Sequence, residues 1–233
     1  MKQLFTRNFT LLLLGQASSL LGNYTLRFAL SMFVLEETGS AATFAGILAV
    51  SMVPTILLSP LGGVLADRAN RRNIMVALDA LSGLAVLGAM ALFPLGDRVF
   101  LTGALLVILS VLGAFESPTV QACVPQTVEE SQLLRGNALV NQVSSLASLV
   151  TPFLGSLLYT AVGLSPIFLG TAVCFFLTAA LECFLRLGEQ PARPKESLGA
   201  ILKGDLAQGA RFLLREEPGI VKLLLLAALA SFF

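Results

Sequence analysis

Residues 62–72 read Gly62-Gly63-Val64-Leu65-Ala66-Asp67-Arg68-Ala69-Asn70-Arg71-Arg72. An apolar stretch gives way here to one acid and a cluster of arginines, and a second apolar stretch resumes at Asn73. A polar interruption this short, between runs each long enough to cross a bilayer, is a tight turn joining two helices at a membrane surface. Gly63 permits close helix approach. Asp67 stands at the membrane edge, and Arg68, Arg71 and Arg72 answer both its charge and that of an anionic leaflet.

The same logic extends in both directions. A spanning helix needs about 20 mostly apolar residues, and six such stretches are readable at 9–35, 41–66, 73–95, 99–118, 138–162 and 166–187. A seventh starts near Ile220 and runs to Phe233, too short to cross a bilayer. The expected organisation is a six-helix bundle over 1–187, a linker over 188–219, and the start of a truncated seventh span over 220–233. Within the linker, Leu198, Ile201, Leu202, Leu206, Ala210 and Leu213 recur at near-helical spacing among Lys203, Asp205, Gln208, Arg211 and Arg215. That pattern suits an amphipathic helix on the inner leaflet, the alternative being a solvated linker.

Composition excludes most other classes. Of 233 residues, 56% are hydrophobic and 12% charged, with a mean hydropathy of +0.85; soluble domains carry about 25% charge. A net charge of +1 offers no field for polyanions, so no nucleic-acid partner is expected. Histidine is absent, and Cys123, Cys174 and Cys183 lie in or beside apolar runs. No Ser-His-Asp, Cys-His or metal-ligating set can be assembled, so neither an enzyme, a cofactor nor a metal site is expected. The remaining class is an all-α integral membrane protein.

Orientation follows from the basic residues. All of the 15 Lys and Arg except Arg27 and Arg98 fall in the N-terminal tail, the even-numbered connections or the region beyond span six. Positive charge marks the cytoplasmic side, so the N-terminus is expected there. The first apolar run carries Gln16, Asn23 and Arg27 and no cleavage pattern, and reads as a retained span rather than a secretory leader.

Polar residues inside spans face a water-filled cavity or bond a neighbouring helix. In span one, Gln16, Ser19, Asn23 and Arg27 fall on an arc of about 80° at 100° per residue. Span five carries Asn137, Asn141, Ser144, Ser148 and Thr151, where small side chains favour packing and Asn141 alone is placed in a cavity. Glu116 in span four is a candidate for binding a cation or proton. Asp79 reads as paired with the arginine cluster, and Glu182 as paired with Arg186 at i, i+4. Ser59-Pro60-Leu61-Gly62-Gly63 in span two is echoed by Thr151-Pro152-Phe153-Leu154-Gly155 in span five, as in an inverted 3+3 repeat.

The ordered residues Gly63 to Arg72 resemble the G-x-L-a-D-r-x-G-r-r signature of the major facilitator superfamily. Asn70 stands where the family has Gly, and its tolerance of left-handed backbone would keep the turn. NFTLLLLGQASSLLG, SPLGGVLADRANRR, Pro118-x3-Ala122-x2-Pro125 with Leu134-Arg135-Gly136-Asn137-Ala138, and DLAQGARFLLREEPGI follow in order. Together they resemble the branch of enterobactin-type siderophore exporters and macrolide-efflux permeases. The resemblance implies the six-helix N-terminal bundle of that fold. It implies that Gly63, Asp67, Arg68, Arg71 and Arg72 latch a cytoplasmic gate against a second six-helix half. It implies a cavity lined by spans one, two, four and five, with Gln16, Asn23, Arg27, Glu116 and Asn141 as substrate-binding residues. Thr151-Pro152-x-x-Gly155-Ser156 resembles an altered G-P-x-x-G-G antiporter element, with Pro152 and Gly155 bending the helix. The basic residue of the family's fourth-span motif is absent from 99–118, which leaves proton coupling open.

The expected function is secondary transport by alternating access in the cell membrane. The substrate is a small or amphipathic drug- or siderophore-like molecule, the other partners being the bilayer, a C-terminal six-helix half and, if coupling exists, protons. A non-transporting half-transporter module and an importer of sugars or nucleosides are the alternatives.

Overall fold

The computed structural model describes residues 4–188 and Leu226. Among the described residues six long helices occur, α1 (Arg7–Thr38), α2 (Ala41–Arg68), α3 (Arg71–Leu92), α4 (Arg98–Thr127), α5 (Leu133–Val162) and α6 (Leu164–Cys183). One 3-10 turn, Glu130–Gln132, precedes α5, and no strand occurs among the described residues. Five helices, α2 to α6, are long and apolar enough to cross a membrane. The remaining one, α1, has 32 residues, and its polar stripe holds its hydropathy down. The linker and seventh-span expectations lie outside the described residues, save Gly188 and Leu226.

Short polar caps set the helix ends. The Thr6 hydroxyl accepts from the Phe9 amide at 3.1 Å, and Gly39 ends α1 at φ 61°. Asp97 accepts from Val99 and Phe100 at 2.9 and 3.0 Å at the start of α4. Asn70 corrects an expectation: it is extended at φ −65°, not left-handed. Because α3 begins immediately after it, its side-chain oxygen is used as an N-cap, accepting from the Asn73 amide at 3.2 Å.

The packing has the symmetry of an inverted repeat. α1 packs along α6 and α5, α4 packs along α3 and α2, and α3 meets α6. Exchanging α1, α2 and α3 for α4, α5 and α6 maps each of these pairs onto another or onto itself. A glycine from each proline-glycine segment sits at one of these equivalent crossings, Gly62 in α2 and Gly155 in α5, one residue out of the register of the echo. Pro118 has no N–H for the carbonyl of Ala114, and Gly62 of α2 approaches there so closely that a Cβ would overlap that carbonyl and lie 2.8 Å from Pro118. Gly155 of α5 approaches α1 in the same way, a Cβ falling 2.9 Å from the Phe28 ring. Gly63 does not serve as the contact expected of it. Among the described residues nothing lies within 4 Å of where its Cβ would stand, because a one-residue step turns it off the α4 face.

Two apolar clusters hold the bundle. One joins Leu26, Leu30, Val86, Leu105, Leu109, Phe168 and Phe175; the other joins Phe9, Leu12, Met75, Val120, Cys123, Val124 and Leu185. On each of α1, α3, α4 and α6 buried polar residues lie between the clusters, among them Gln16, Ser19, Asp79, Ser82, Glu116, Thr178 and Glu182. Only 6% of the most apolar stretch of α2 and 17% of that of α5 is buried, against 39% for α4 and α6. The outward faces of α2 and α5 are therefore the least covered in the bundle.

Candidate functional site

A half-open cavity of about 570 Å3 lies against the polar stripe of α1. Its wall comes from α1, α2, α4 and α5. Gln16, Ser19, Asn23, Tyr24 and Arg27 project from α1, Met52, Thr55 and Ile56 from α2, Ser110, Glu116, Ser117 and Gln121 from α4, and Val140, Asn141 and Ser144 from α5. The five side chains named as substrate-binding, Gln16, Asn23, Arg27, Glu116 and Asn141, all line it. Its volume falls within the roughly 300–1,000 Å3 typical of small-molecule sites. Thr55, Ser110, Ser117 and Gln121 carry no signal for this wall in the sequence, because an isolated polar residue has no periodicity to reveal its face. Ser144, on the span-five stripe expected to pack, lines the cavity instead.

Arg27 is held in a fixed pose. Its Nε donates to Asn23 Oδ1 at 2.9 Å and its Nη2 to Ser110 Oγ at 3.0 Å. Both acceptors are neutral, so they orient the guanidinium without cancelling its charge. No carboxylate among the described residues stands within ion-pair distance of it. Further along the wall, Gln16 Nε2 donates to Glu116 Oε1 at 3.5 Å. Ser19 Oγ lies 3.3 Å from the same oxygen and 3.2 Å from Asp79 Oδ1. At 1.5 Å per residue, Ser19 and Arg27 are about 12 Å apart along α1. The cavity thus offers a fixed cation at one level and an acid at another.

Two acids sit elsewhere than expected. Asp79 does not join the arginine cluster: it is fully buried and faces Ser19, about 12 Å inward from Arg71 along α3. Glu182 does not pair with Arg186, since α6 ends at Cys183 and the helical i, i+4 relation stops with it. Its side chain is 1% exposed and directed into the bundle.

The opposite face of α1 is packed rather than open. The Thr171 hydroxyl donates to the Gly22 carbonyl at 3.1 Å, Thr178 to the Gly15 carbonyl at 3.0 Å, and Ser18 to the Cys174 carbonyl at 3.2 Å. Each glycine and threonine pair has the same spacing and runs in opposite order, so the two helices are antiparallel along this seam. The cue in the sequence was the matched spacing of small residues, a device of close membrane-helix packing.

At the α2–α3 turn, one arginine ties three helix ends together. Arg71 Nε donates to the Ala66 carbonyl and Nη1 to the Ala122 carbonyl, both at 2.8 Å, while Nη2 lies 3.4 Å from Asp67 Oδ1. Asp67 remains more than half exposed. Arg72 Nε reaches Asn73 Oδ1 at 3.4 Å, and Arg68 and Gly63 are half-buried. Pro152 and Gly155 lie on α5, the latter where that helix crosses α1.

Residues 12–233 match the family model of the Major Facilitator Superfamily. Macrolide efflux protein A of Streptococcus pyogenes is 30% identical over 224 residues, covering 94% of this chain and 54% of the relative. Multidrug efflux pump Tap of Mycobacterium tuberculosis is 28% identical over 197 residues, covering 79% of this chain and 45% of the relative. The chain spans about half the length of the curated relatives it matches. Among solved structures, the POT family transporter PepTSo superposes with a TM-score of 0.67 at 20% identity, covering 83% of this chain and 40% of that one. At that identity the likeness speaks for the fold.

Proposed function

The chain belongs to the Major Facilitator Superfamily, and we propose that it forms the N-terminal half of an efflux transporter for small amphipathic molecules. The observation that carries this reading is the cavity, whose wall holds both a fixed guanidinium and a carboxyl group beside apolar side chains. The curated relatives are named for macrolide and multidrug efflux, and an amphipathic molecule with separated polar groups suits such a wall.

In this reading Gln16, Asn23, Arg27, Glu116 and Asn141 contact substrate, and a second six-helix half completes the cavity. The uncovered apolar faces of α2 and α5, with Ile56, Leu57, Leu149 and Phe153 among their exposed residues, support docking of that half. Rocking of the halves then gives alternating access. Gly63, Asp67, Arg68, Arg71 and Arg72 form the gate at the cytoplasmic end: Arg71 braces the turn against α4, and exposed Asp67 is available to the opposite half. Pro152 and Gly155 give α5 its bend at the crossing with α1. The distribution of Lys and Arg supports a cytoplasmic N-terminus in the cell membrane.

The test is export from a macrolide-susceptible bacterium. The chain is expressed alone and joined to the C-terminal six spans of the Streptococcus pyogenes relative, and accumulation of a labelled macrolide is measured. The joined protein is expected to lower accumulation several-fold, and the chain alone to leave it unchanged. Asp67→Asn in the joined protein should reduce turnover about tenfold, roughly 1.4 kcal/mol, with membrane abundance unchanged. Export by the chain alone would overturn its assignment as half of a transporter. Counterflow of a sugar without any macrolide response would overturn the efflux reading.

A further inference from the structure

Beside the packed seam of α1 and α6 lies a second, smaller concavity that transport does not use. It is a groove of about 220 Å3 between α1, α5 and α6. α5 and α6 each pack along α1, but they touch one another little, although only Gly163 separates them in the chain. Between them α1 forms the floor, with Gly22 at its midpoint. Leu158 and Val162 of α5 make one side, and Pro166, Gly170 and Cys174 of α6 the other. Along α6 the groove runs from Pro166, beside the α5–α6 turn, to Cys174 at mid-helix. That is about 12 Å at 1.5 Å per residue, close to the depth of one leaflet in a hydrocarbon core about 30 Å thick.

Size, position and charge say what fills it. The volume is below the roughly 300–1,000 Å3 of small-molecule sites, and its long, narrow run suits a slender apolar tail. Water is poorly served there, since the Gly22 and Cys174 carbonyls already accept from Thr171 and Ser18. Left empty, the groove would deprive its lining of dispersion contacts. A second half of the transporter does not reach it from the face offered for docking. Leu158 and Val162 are each nine residues on from Leu149 and Phe153, or two and a half turns at about 100° per residue, so the groove and that face lie on opposite sides of α5. At the turn end the surroundings are acidic. Tyr159, next to Leu158, donates to Glu36 Oε2 at 2.6 Å, and both Glu36 and Glu37 are exposed. An ammonium headgroup suits that charge, and a headgroup bearing only a phosphodiester is repelled by it.

We propose that this groove is a lipid site, holding one acyl tail of a zwitterionic phospholipid from the leaflet on the side of the α5–α6 turn. The tail fills the space between α5 and α6 as a side chain fills a protein interior. Its headgroup ammonium lies toward Glu36 and Glu37. The lipid thereby completes the packing of α5 on the side where no helix meets it, and does so without entering the cavity on the other side of α1.

The experiment is native mass spectrometry of the 233-residue protein, taken from an equal mixture of phosphatidylcholine and phosphatidylglycerol into mild detergent. The wild type should retain one phosphatidylcholine. A Cβ on Gly170 meets nothing within 4 Å, so Gly170→Phe places its ring in the groove and should lose the lipid. Leu169→Phe, on the exposed face beside it, should keep the lipid. A second measurement locates the tail whether or not Gly170→Phe folds. The sequence has no tryptophan, so Leu158→Trp and Leu169→Trp each introduce a lone fluorophore. Retained phosphatidylcholine with brominated tails should quench the first and spare the second. Absence of retained phospholipid from the wild type, retention of phosphatidylglycerol instead, or equal quenching at the two positions would each overturn the proposal. A dimer that Gly170→Phe splits would overturn it too, giving the groove to a second copy. The protein joined to a C-terminal half should still hold the lipid, and its loss there would give the groove to that half.

Discussion

The two sides of α1 bury polar groups in different ways. Toward α6, glycines bring the backbones together and hydroxyls satisfy the carbonyls of the facing helix, as Thr171 does at Gly22 and Thr178 at Gly15. Toward α2 and α4, Gln16, Asn23 and Arg27 bond to side chains and keep donor capacity directed at a cavity. The first side converts polarity into helix association; the second stores it as a surface that a solute can meet. Ser19 stands between the two, bonding side chains of α3 and of the cavity-wall helix α4.

Substitutions on the two sides should therefore separate stability from transport. The largest effect is expected at the seam. A Cβ on Gly22 would lie 2.8 Å from the Cys174 Cβ, so Gly22→Val must push α6 away, at a cost of about 3 kcal/mol by the usual scale of overpacking. Thermal unfolding in detergent measures this, and an unchanged midpoint would mean that the α1–α6 seam does not carry the bundle. Next comes Asp79, in the layer between the two sides. Asp79→Ala should cost about 2 kcal/mol through the lost contact and an orphaned hydroxyl, whereas Asp79→Asn should stay within about 1 kcal/mol of wild type. Equal losses in the two variants would mean that the charge of Asp79, not its hydrogen bond with Ser19, holds the layer.

The smallest effect on folding is expected on the cavity side. Arg27→Ala leaves Asn23 and Ser110 free to bond cavity water and should change stability by less than about 1 kcal/mol. In the joined transporter it should nevertheless raise KM about tenfold, or 1.4 kcal/mol, for substrates carrying an acceptor group at that level. Unchanged selectivity together with a large loss of stability would move Arg27 to the packed side and erase the contrast.

Periodicity made much of this legible beforehand. The arc of Gln16, Ser19, Asn23 and Arg27 was visible because a helix puts every third or fourth residue on one face, and those residues do share a wall. The Asp67–Arg71 contact was legible because one tight turn brings opposite charges a few residues apart together. Gly62 and Gly63 could not be told apart, since neighbouring glycines differ only in which face they take. Asp79 and Glu182 were assigned to near neighbours in the chain, the arginine cluster and Arg186, because sequence displays local partners and hides those that arrive from another helix.

Hydropathy and charge by themselves determined a multi-pass helical membrane protein, since backbone groups in hydrocarbon must be satisfied within a helix and the apolar runs state where those helices are. Only the tertiary structure decided which polar residues meet a cavity, which pin helices, and that three acids distant in sequence share one buried layer. Helix packing is set by the shapes of whole faces, and a side chain's chemistry depends on whether the face opposite it offers a carbonyl, a carboxyl or open space.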